Sequence, residues 1–195
     1  MSRALLAFNP EAHRSGGDTL LFGVAVPAAP RTFGLSALEE LNLASQFLEA
    51  RSGTVMAALL KYIIHRSSAA QGRALDPRLV GLLLHHLTRA ATTVRDAMQS
   101  DAAAVGFPRS PEAIFGTELE GLSPEDREFE TARHFVWFAN DLARTAARAA
   151  PNAVPGIVAS HAERLTARRL APGLSRALGQ PPMDFHARRR ARPEQ

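Results

Sequence analysis

The chain has 195 residues, of which 46% are apolar and 22% charged, and its formal net charge at pH 7 is +4. This length and composition are typical of one folded domain with a core of its own, and they argue against a disordered protein. The absence of cysteine excludes disulfides, zinc–thiolate sites, iron–sulfur clusters and thiol catalysis, but it leaves the redox compartment open. Because aromatic residues are only 6% of the chain, Leu and Ala must fill most of the core, which favours helices.

The positive charge is concentrated near the C-terminal end. Residues 151–195 contain eight arginines against Glu163, Asp184 and Glu194, an excess of five positive charges. The preceding 150 residues are therefore close to neutral, and the basicity belongs to the end of the chain.

The first 35 residues are rich in Gly, Pro and small side chains. Residues 19–26 have the composition of one short strand, but a single strand lacks a ladder partner within the domain. We interpret residues 1–35 as an N-terminal arm that packs on the body or on a neighbouring subunit, with a targeting or docking segment as the alternative. Its first apolar run is too short for a signal peptide, so we expect a cytoplasmic protein, with export by a dedicated machine as the alternative.

The first predicted helix begins at Ser36, which forms an S-x-x-E capping box with Glu39. It ends near Gly53. The second, residues 54–65, is apolar nearly all round, which is typical of a helix in the centre of a bundle or against a partner. This apolar stretch is interrupted by Lys61 and is shorter than the roughly 20 residues that span a membrane, so we expect no transmembrane segment.

The third predicted helix begins at Asp76-Pro77, where Asp is the N-cap and Pro takes the first helical position, and it runs to about Gln99. Apolar residues recur along it at helical spacing, from Val80 to Met98. Gly106, Pro108 and Pro111 then predict a loop.

The fourth predicted helix begins at Ser123-Pro124 and ends before Pro151. Its inner stripe consists of Phe129, Ala132, Val136, Ala139 and Ala143. The fifth spans about 156–170. The sequence therefore predicts an all-α fold, roughly a five-helix bundle over residues 36–179, followed by a basic flexible tail over residues 180–195.

The strongest candidate for an interaction site is an acidic run at the start of the fourth helix. Its carboxylates are Glu118, Glu120, Glu125, Asp126, Glu128 and Glu130, with only Arg127 among them. The ordinary interpretation is a solvated helix start, and the functional one is a docking surface for arginines. The chain supplies such arginines at Arg164, Arg168, Arg169, Arg188, Arg189, Arg190 and Arg192. Head-to-tail self-association of acidic patch and basic tail is therefore a physically reasonable hypothesis.

Trp137 is a further candidate, because residues 135–138 cover a wide arc of the fourth helix. A core position is the usual interpretation of such a ring, whereas an exposed Trp137 would be an interface anchor.

The sequence gives little support to metal binding or catalysis, and we expect no cofactor. His85 and His86 are adjacent on a helix and point in different directions. Glu130 and His134 are four residues apart, but two ligands do not make a metal site. The chain has no G-x-S-x-G elbow and no glycine-rich phosphate loop. A pocket among the third and fourth helices, with convergent groups such as His86 and His134, remains an alternative.

Nucleic acid or an anionic surface is the other alternative partner, since the arginines of the tail would neutralise phosphates. The tail is short, however, and Phe185 is the one aromatic residue in its sequence that could stack on a base.

The residues 118–139, ELEGLSPEDREFETARHFVWFA, resemble a segment of a group of bacterial proteins with a near-identical "ELEGLSPEDREFEVARRFVRFA" run and no established activity. Residues 35–49 and 150–173 are similar to the group more weakly. Its members usually have a glycine-zipper apolar centre, which this chain replaces with the glycine-poor residues 53–98. The resemblance implies a bacterial accessory or structural protein. We therefore expect a non-enzymatic interaction protein within a homo- or hetero-oligomeric assembly.

Overall fold

The structure, a computed structural model, describes residues 35–99 and 110–174. This part of the chain is all-α and contains no strand, which confirms the predicted fold class. Its helices are α1 (Ala37–Glu49), α2 (Gly53–Ala69), α3 (Pro77–Gln99), α4 (Pro111–Phe115), α5 (Pro124–Ala147) and α6 (Pro155–Leu170). The predicted N-terminal arm with its strand at 19–26, and the basic tail from residue 180, lie outside the described residues.

Serine side chains begin four of these helices. Each one accepts the backbone N–H of the third residue after it and so satisfies a donor that the helix itself leaves unpaired. These N-caps are Ser36, Ser52, Ser110 and Ser123. At the start of α3, Asp76 Oδ1 accepts the N–H of Arg78 over 2.7 Å. The helix starts predicted at Ser36, Asp76 and Ser123 are confirmed.

α5 is the central helix, and it contacts α1, α2, α3 and α6. Its predicted apolar stripe is confirmed, with Phe129 partly buried and the other members fully buried. The Phe135 ring stacks on Phe47 of α1 with centroids 4.4 Å apart. Val55 and Tyr62 leave one side of α2 half exposed, so α2 does not take the central position that was one of the alternatives for the second helix.

The sequence predicted a loop at Gly106, Pro108 and Pro111 and no further helix before Ser123. The structure has the one-turn helix α4, which begins at Pro111, while Gly106 and Pro108 lie outside the described residues. Ile114 and Phe115 are buried, which places α4 against the body of the domain. Ser110 caps this helix, and Gly116 ends it in the left-handed region at φ 67°. A single turn is too short to show a hydrophobic period, but the Ser-Pro start and the following glycine are recognisable signals.

α6 runs antiparallel to α5. Thr166 lies opposite Asp141, and the chain beyond α6 reaches α4, which precedes the start of α5. No helix in the described ranges is both long enough and apolar enough to cross a membrane.

Candidate interaction surfaces

The predicted acidic run forms an exposed surface at the start of α5. We call Glu118, Glu120, Glu125, Asp126 and Glu128 the acidic segment; all five side chains are exposed. Glu125 and Asp126 lie in the first turn of α5, where the helix dipole favours negative charge. Leu119 is buried and anchors the preceding loop, while Leu122 is 37% exposed within the segment.

The two acidic residues that flank this segment are neutralised within the chain. Glu112 lies 3.5 Å from Arg127, and the Glu130 carboxylate lies 2.6 Å from Arg133. Within residues 35–99 and 110–174, none of the five carboxylates of the acidic segment forms an ion pair. Arg127, which lies among these carboxylates in the sequence, pairs with Glu112, so the five negative charges have no ion-pair partner in this part of the protein.

Trp137 is not an exposed anchor. Its side chain is only 7% exposed. The His134 ring meets it edge-on with centroids 4.7 Å apart, and the Arg133 guanidinium lies 5.2 Å from its ring centroid. The core interpretation of Trp137 holds, and its place among the interaction residues is a wrong prediction.

His134 is held by the backbone of its own helix. Its Nδ1 lies 2.7 Å from the carbonyl oxygen of Glu130, so this nitrogen carries the donated hydrogen. Burial lowers the pKa of His134, and the Glu130 carbonyl and carboxylate oppose this effect. The Glu130 carboxylate pairs with Arg133, and Glu130 contacts the His134 ring through its backbone carbonyl oxygen.

The structure describes the arginines of α6. The arginines of the tail lie outside the described residues; they are Arg188, Arg189, Arg190 and Arg192. Arg169 pairs with Asp141 of α5. Arg164 and Arg168 are exposed and form no ion pair within the described part of the chain. Of the three candidate arginines of α6, Arg169 therefore forms an ion pair within the fold, whereas Arg164 and Arg168 are exposed.

Buried polar side chains of α2, α5 and α6 form a layer inside the bundle. Ser67 of α2 donates a 2.6 Å hydrogen bond to Asn140 Oδ1, and both residues are fully buried. One helical position further on, Asp141 accepts a 3.1 Å hydrogen bond from Thr166 and pairs with Arg169. Sequence reasoning missed this layer, although two adjacent polar residues inside an apolar stripe were a visible signal.

Arg144 belongs to the same layer and is almost fully buried. Its pKa is lowered first by burial and then by the neighbouring Arg148, while Asp141 opposes the shift. Asp141 is thus the carboxylate that balances a group of guanidinium ions near the end of α5.

The structure does not bring His86 and His134 together. His86 of α3 has its Nδ1 2.8 Å from the Glu163 carboxylate of α6, a close contact that lacks hydrogen-bond geometry. His134 instead faces Phe115 and Trp137. Across the described ranges, no group of three or more metal-binding side chains is assembled.

An open groove lies between α1 and α2, with a volume of about 440 Å³. Its lining residues are Gln46, Glu49, Ala50, Val55, Ala58, Leu59 and Tyr62. The predicted pocket was among the third and fourth helices, which are α3 and α5 here, so this groove is a different feature. It combines one carboxylate and one phenol with mainly apolar groups.

Comparison of the chain with protein-family models, with curated proteins and with solved structures gave no match.

Proposed function

We propose that this chain is a non-enzymatic interaction protein that works within an assembly, and that the acidic segment is its docking surface. The observation that supports this proposal is the set of five exposed carboxylates without an ion-pair partner in the described residues. Like charges held together on a folded surface repel one another, and a complementary partner relieves that repulsion. Such a surface also accelerates the approach of a basic partner and disfavours wrong ones.

The rest of the domain is consistent with a rigid support for that surface. Glu125, Asp126 and Glu128 lie on the first turns of α5, and Glu118 and Glu120 lie in the loop before it. Most of α5 from Thr131 onward is buried. A partner would thus meet side chains whose backbone is already ordered, which reduces the entropy lost on binding. The resemblance of residues 118–139 supports an accessory or structural role in a bacterium.

The test is the native mass of the full chain, measured by light scattering after size exclusion at low salt and at about 1 M salt, where the Debye length is about 3 Å. A defined oligomer that dissociates in salt is the expected result. The variant Glu118→Gln/Glu120→Gln/Glu125→Gln/Glu128→Gln should lose the oligomer, and Glu49→Gln, an exposed glutamate at the end of α1, should keep it.

If the chain is monomeric at every salt concentration, affinity capture with the wild type and the four-fold variant tests a hetero-oligomer. A partner retained by the wild type and lost with the variant supports the proposal. Equal retention by both proteins contradicts it.

Binding of nucleic acid or an anionic surface is the second candidate function. Arg164 and Arg168 favour it, because both are exposed and have no carboxylate partner in the described residues. Phosphate neutralisation by arginine releases counterions, so the affinity would fall steeply with salt. Fluorescence anisotropy of a labelled oligonucleotide across a salt series measures this; absent or salt-insensitive binding contradicts it.

A further inference from the structure

We propose that the partner of the acidic segment is a second copy of this chain, which docks there with the outer face of α6. This face consists of Ile157, His161, Arg164, Leu165 and Arg168. The inference rests on the function proposed above, and it adds the identity of the partner and the surface that the partner uses.

The outer face of α6 has the composition of an interface. Residues 157, 161, 164 and 168 recur at three- and four-residue spacing, so they form one stripe along the helix. Ile157 is 67% exposed and Leu165 is 44% exposed, which are large exposed fractions for branched apolar side chains. Arg164 and Arg168 add two positive charges to the same face. Apolar groups joined to arginine are typical of protein interfaces.

The charges of the two surfaces are complementary. The acidic segment has five carboxylates and a half-exposed Leu122, whereas the α6 face has two arginines and two exposed apolar side chains. The remaining charged residues of this part of α6 are already engaged, since Glu163 contacts His86 and Arg169 pairs with Asp141. The outer face therefore presents positive charge without an acidic neighbour of its own.

The acidic segment and the α6 face do not form ion pairs with each other within one copy of the described chain. In the described residues no carboxylate of the acidic segment reaches Arg164 or Arg168 within 4.0 Å. Because each copy has both surfaces, two copies can dock reciprocally in a two-fold dimer, or each copy can dock head-to-tail on the next until a ring closes or a filament grows. The proposal thus predicts a dimer or a larger head-to-tail assembly.

The α6 face is a better partner than the basic tail on energetic grounds. α6 is already folded, so it loses little conformational freedom on docking. The α6 face also contributes apolar area, which the arginines of the tail lack.

Charge reversal in two full-length variants tests the proposal. In Arg164→Glu/Arg168→Glu both surfaces are acidic. In Glu118→Arg/Glu120→Arg/Glu128→Arg, which spares the first turn of α5, the charge of the acidic segment changes from −5 to +1, because three arginines then stand beside Glu125 and Asp126. Each variant alone should self-associate at least about tenfold more weakly than the wild type, because only like charges meet. Mixed in equal amounts, the variants should recover assembly, because every contact between unlike copies is again complementary.

Arg51→Glu/Arg78→Glu is the matched control, since it makes the same charge change at exposed arginines elsewhere. It should associate like the wild type. Far-ultraviolet circular dichroism confirms that each variant is folded before its mass is measured.

The other outcomes separate this inference from the proposed function. If Glu118→Arg/Glu120→Arg/Glu128→Arg abolishes association but Arg164→Glu/Arg168→Glu does not, the acidic segment is a docking surface and the α6 face is not its partner, which overturns the inference alone. Loss of association in Arg188→Gln/Arg189→Gln/Arg190→Gln/Arg192→Gln, with the α6 variant unaffected, identifies the tail as the occupant and has the same consequence.

A wild type that stays monomeric at low salt overturns the inference, while the proposed function is then decided by affinity capture of another protein. If Arg164→Glu/Arg168→Glu loses oligonucleotide binding but keeps self-association, the α6 face is a nucleic-acid surface and the inference is again overturned.

Discussion

The backbone N–H of Gly173 donates a 3.0 Å hydrogen bond to the carbonyl oxygen of Ile114, and this bond joins the chain beyond α6 to the short helix α4. A Cβ atom at position 173 would lie 2.8 Å from the carbonyl carbon of Ala113 and 2.9 Å from Cα of Ile114, and closer still to the Ala113 oxygen. The neighbours are backbone atoms, which cannot move without shifting α4. Glycine is therefore required for this close approach.

Gly173→Ala should lower the free energy of unfolding by about 1–3 kcal/mol, because an overpacked site must displace backbone. Urea denaturation measures this difference. Gly81→Ala is the control, since Gly81 lies on the exposed side of α3 with no atom within 4 Å of the added Cβ. It should be neutral or stabilising by up to about 1 kcal/mol, because alanine favours a helix. Equal stability of the two variants would contradict the close approach at Gly173.

The buried Ser67–Asn140 pair should behave as a unit. Ser67→Ala leaves Asn140 Oδ1 buried without its donor, and we expect a loss of about 1–3 kcal/mol in the free energy of unfolding. Asn140 Nδ2 is already without a partner in the described residues, so the amide is an incompletely satisfied group. Ser67→Ala/Asn140→Leu removes both polar groups and should cost less than the sum of the single changes. Additive losses in the double-mutant cycle would show that the two side chains are not coupled.

Asp141→Asn should destabilise the fold by about 1–3 kcal/mol. The substitution removes the charge that pairs with Arg169 and balances the buried Arg144. The expected loss is at the lower end for a buried pair, because the Arg169 side chain is 58% exposed and water screens its charge. Glu128→Gln, an exposed carboxylate without an ion pair in the described residues, should change stability by less than about 0.5 kcal/mol. Thermal and urea unfolding of both variants measure these differences. If Asp141→Asn and Glu128→Gln change the stability equally, a structural role for Asp141 is refuted.

His134 should make the stability of the protein depend on pH. Burial lowers its folded-state pKa below the ordinary value of 6.5, so the unfolded chain binds this proton more readily than the folded one. The contribution of His134 to the free energy of unfolding is complete above pH 6.5 and decreases as the pH falls from 6.5 to the folded-state pKa.

Urea denaturation of the wild type and of His134→Gln at pH 7.5 and at lower pH measures this contribution. The loss of stability on acidification should be smaller in His134→Gln, because glutamine has no proton to gain. The ring protons of His134, followed by NMR, should titrate below the ordinary range of histidine. A titration at or above that range would contradict the effect of burial.

The helices that could be predicted are those with local sequence signals, such as an N-cap residue or an apolar period. Ser36, Asp76 and Ser123 mark helix starts because a side-chain oxygen near the first turn satisfies a donor within three residues. The stripe of α5 follows from a period of 3.6 residues, and its burial is confirmed. The exposure of the acidic segment agrees with its charge, since isolated carboxylates are costly to bury.

Tertiary packing decided which helix lies at the centre of the bundle. The all-round apolar composition of α2 was compatible with a central position or with contact to a partner, whereas α5 is the helix with four neighbours, which its small residues allow to approach closely. The contacts of Trp137 with His134 and Arg133 are local, because these residues lie three and four positions before it on α5. The burial of Trp137 depends in addition on how α5 packs in the bundle. The α4 turn has recognisable ends, but its place depends on a hydrogen bond to Gly173, nearly 60 residues away.

The sequence by itself determined the all-α class, the main helix boundaries, the exposed acidic start of α5 and the absence of cysteine chemistry, since each depends on composition or on neighbours within one or two turns. Only the tertiary structure decided which charges form ion pairs within the described residues and which do not. Arg164, Arg168 and Arg169 look alike in sequence, yet Arg169 alone of the three reaches Asp141, because the direction of a side chain around α6 is set by how that helix packs on α5.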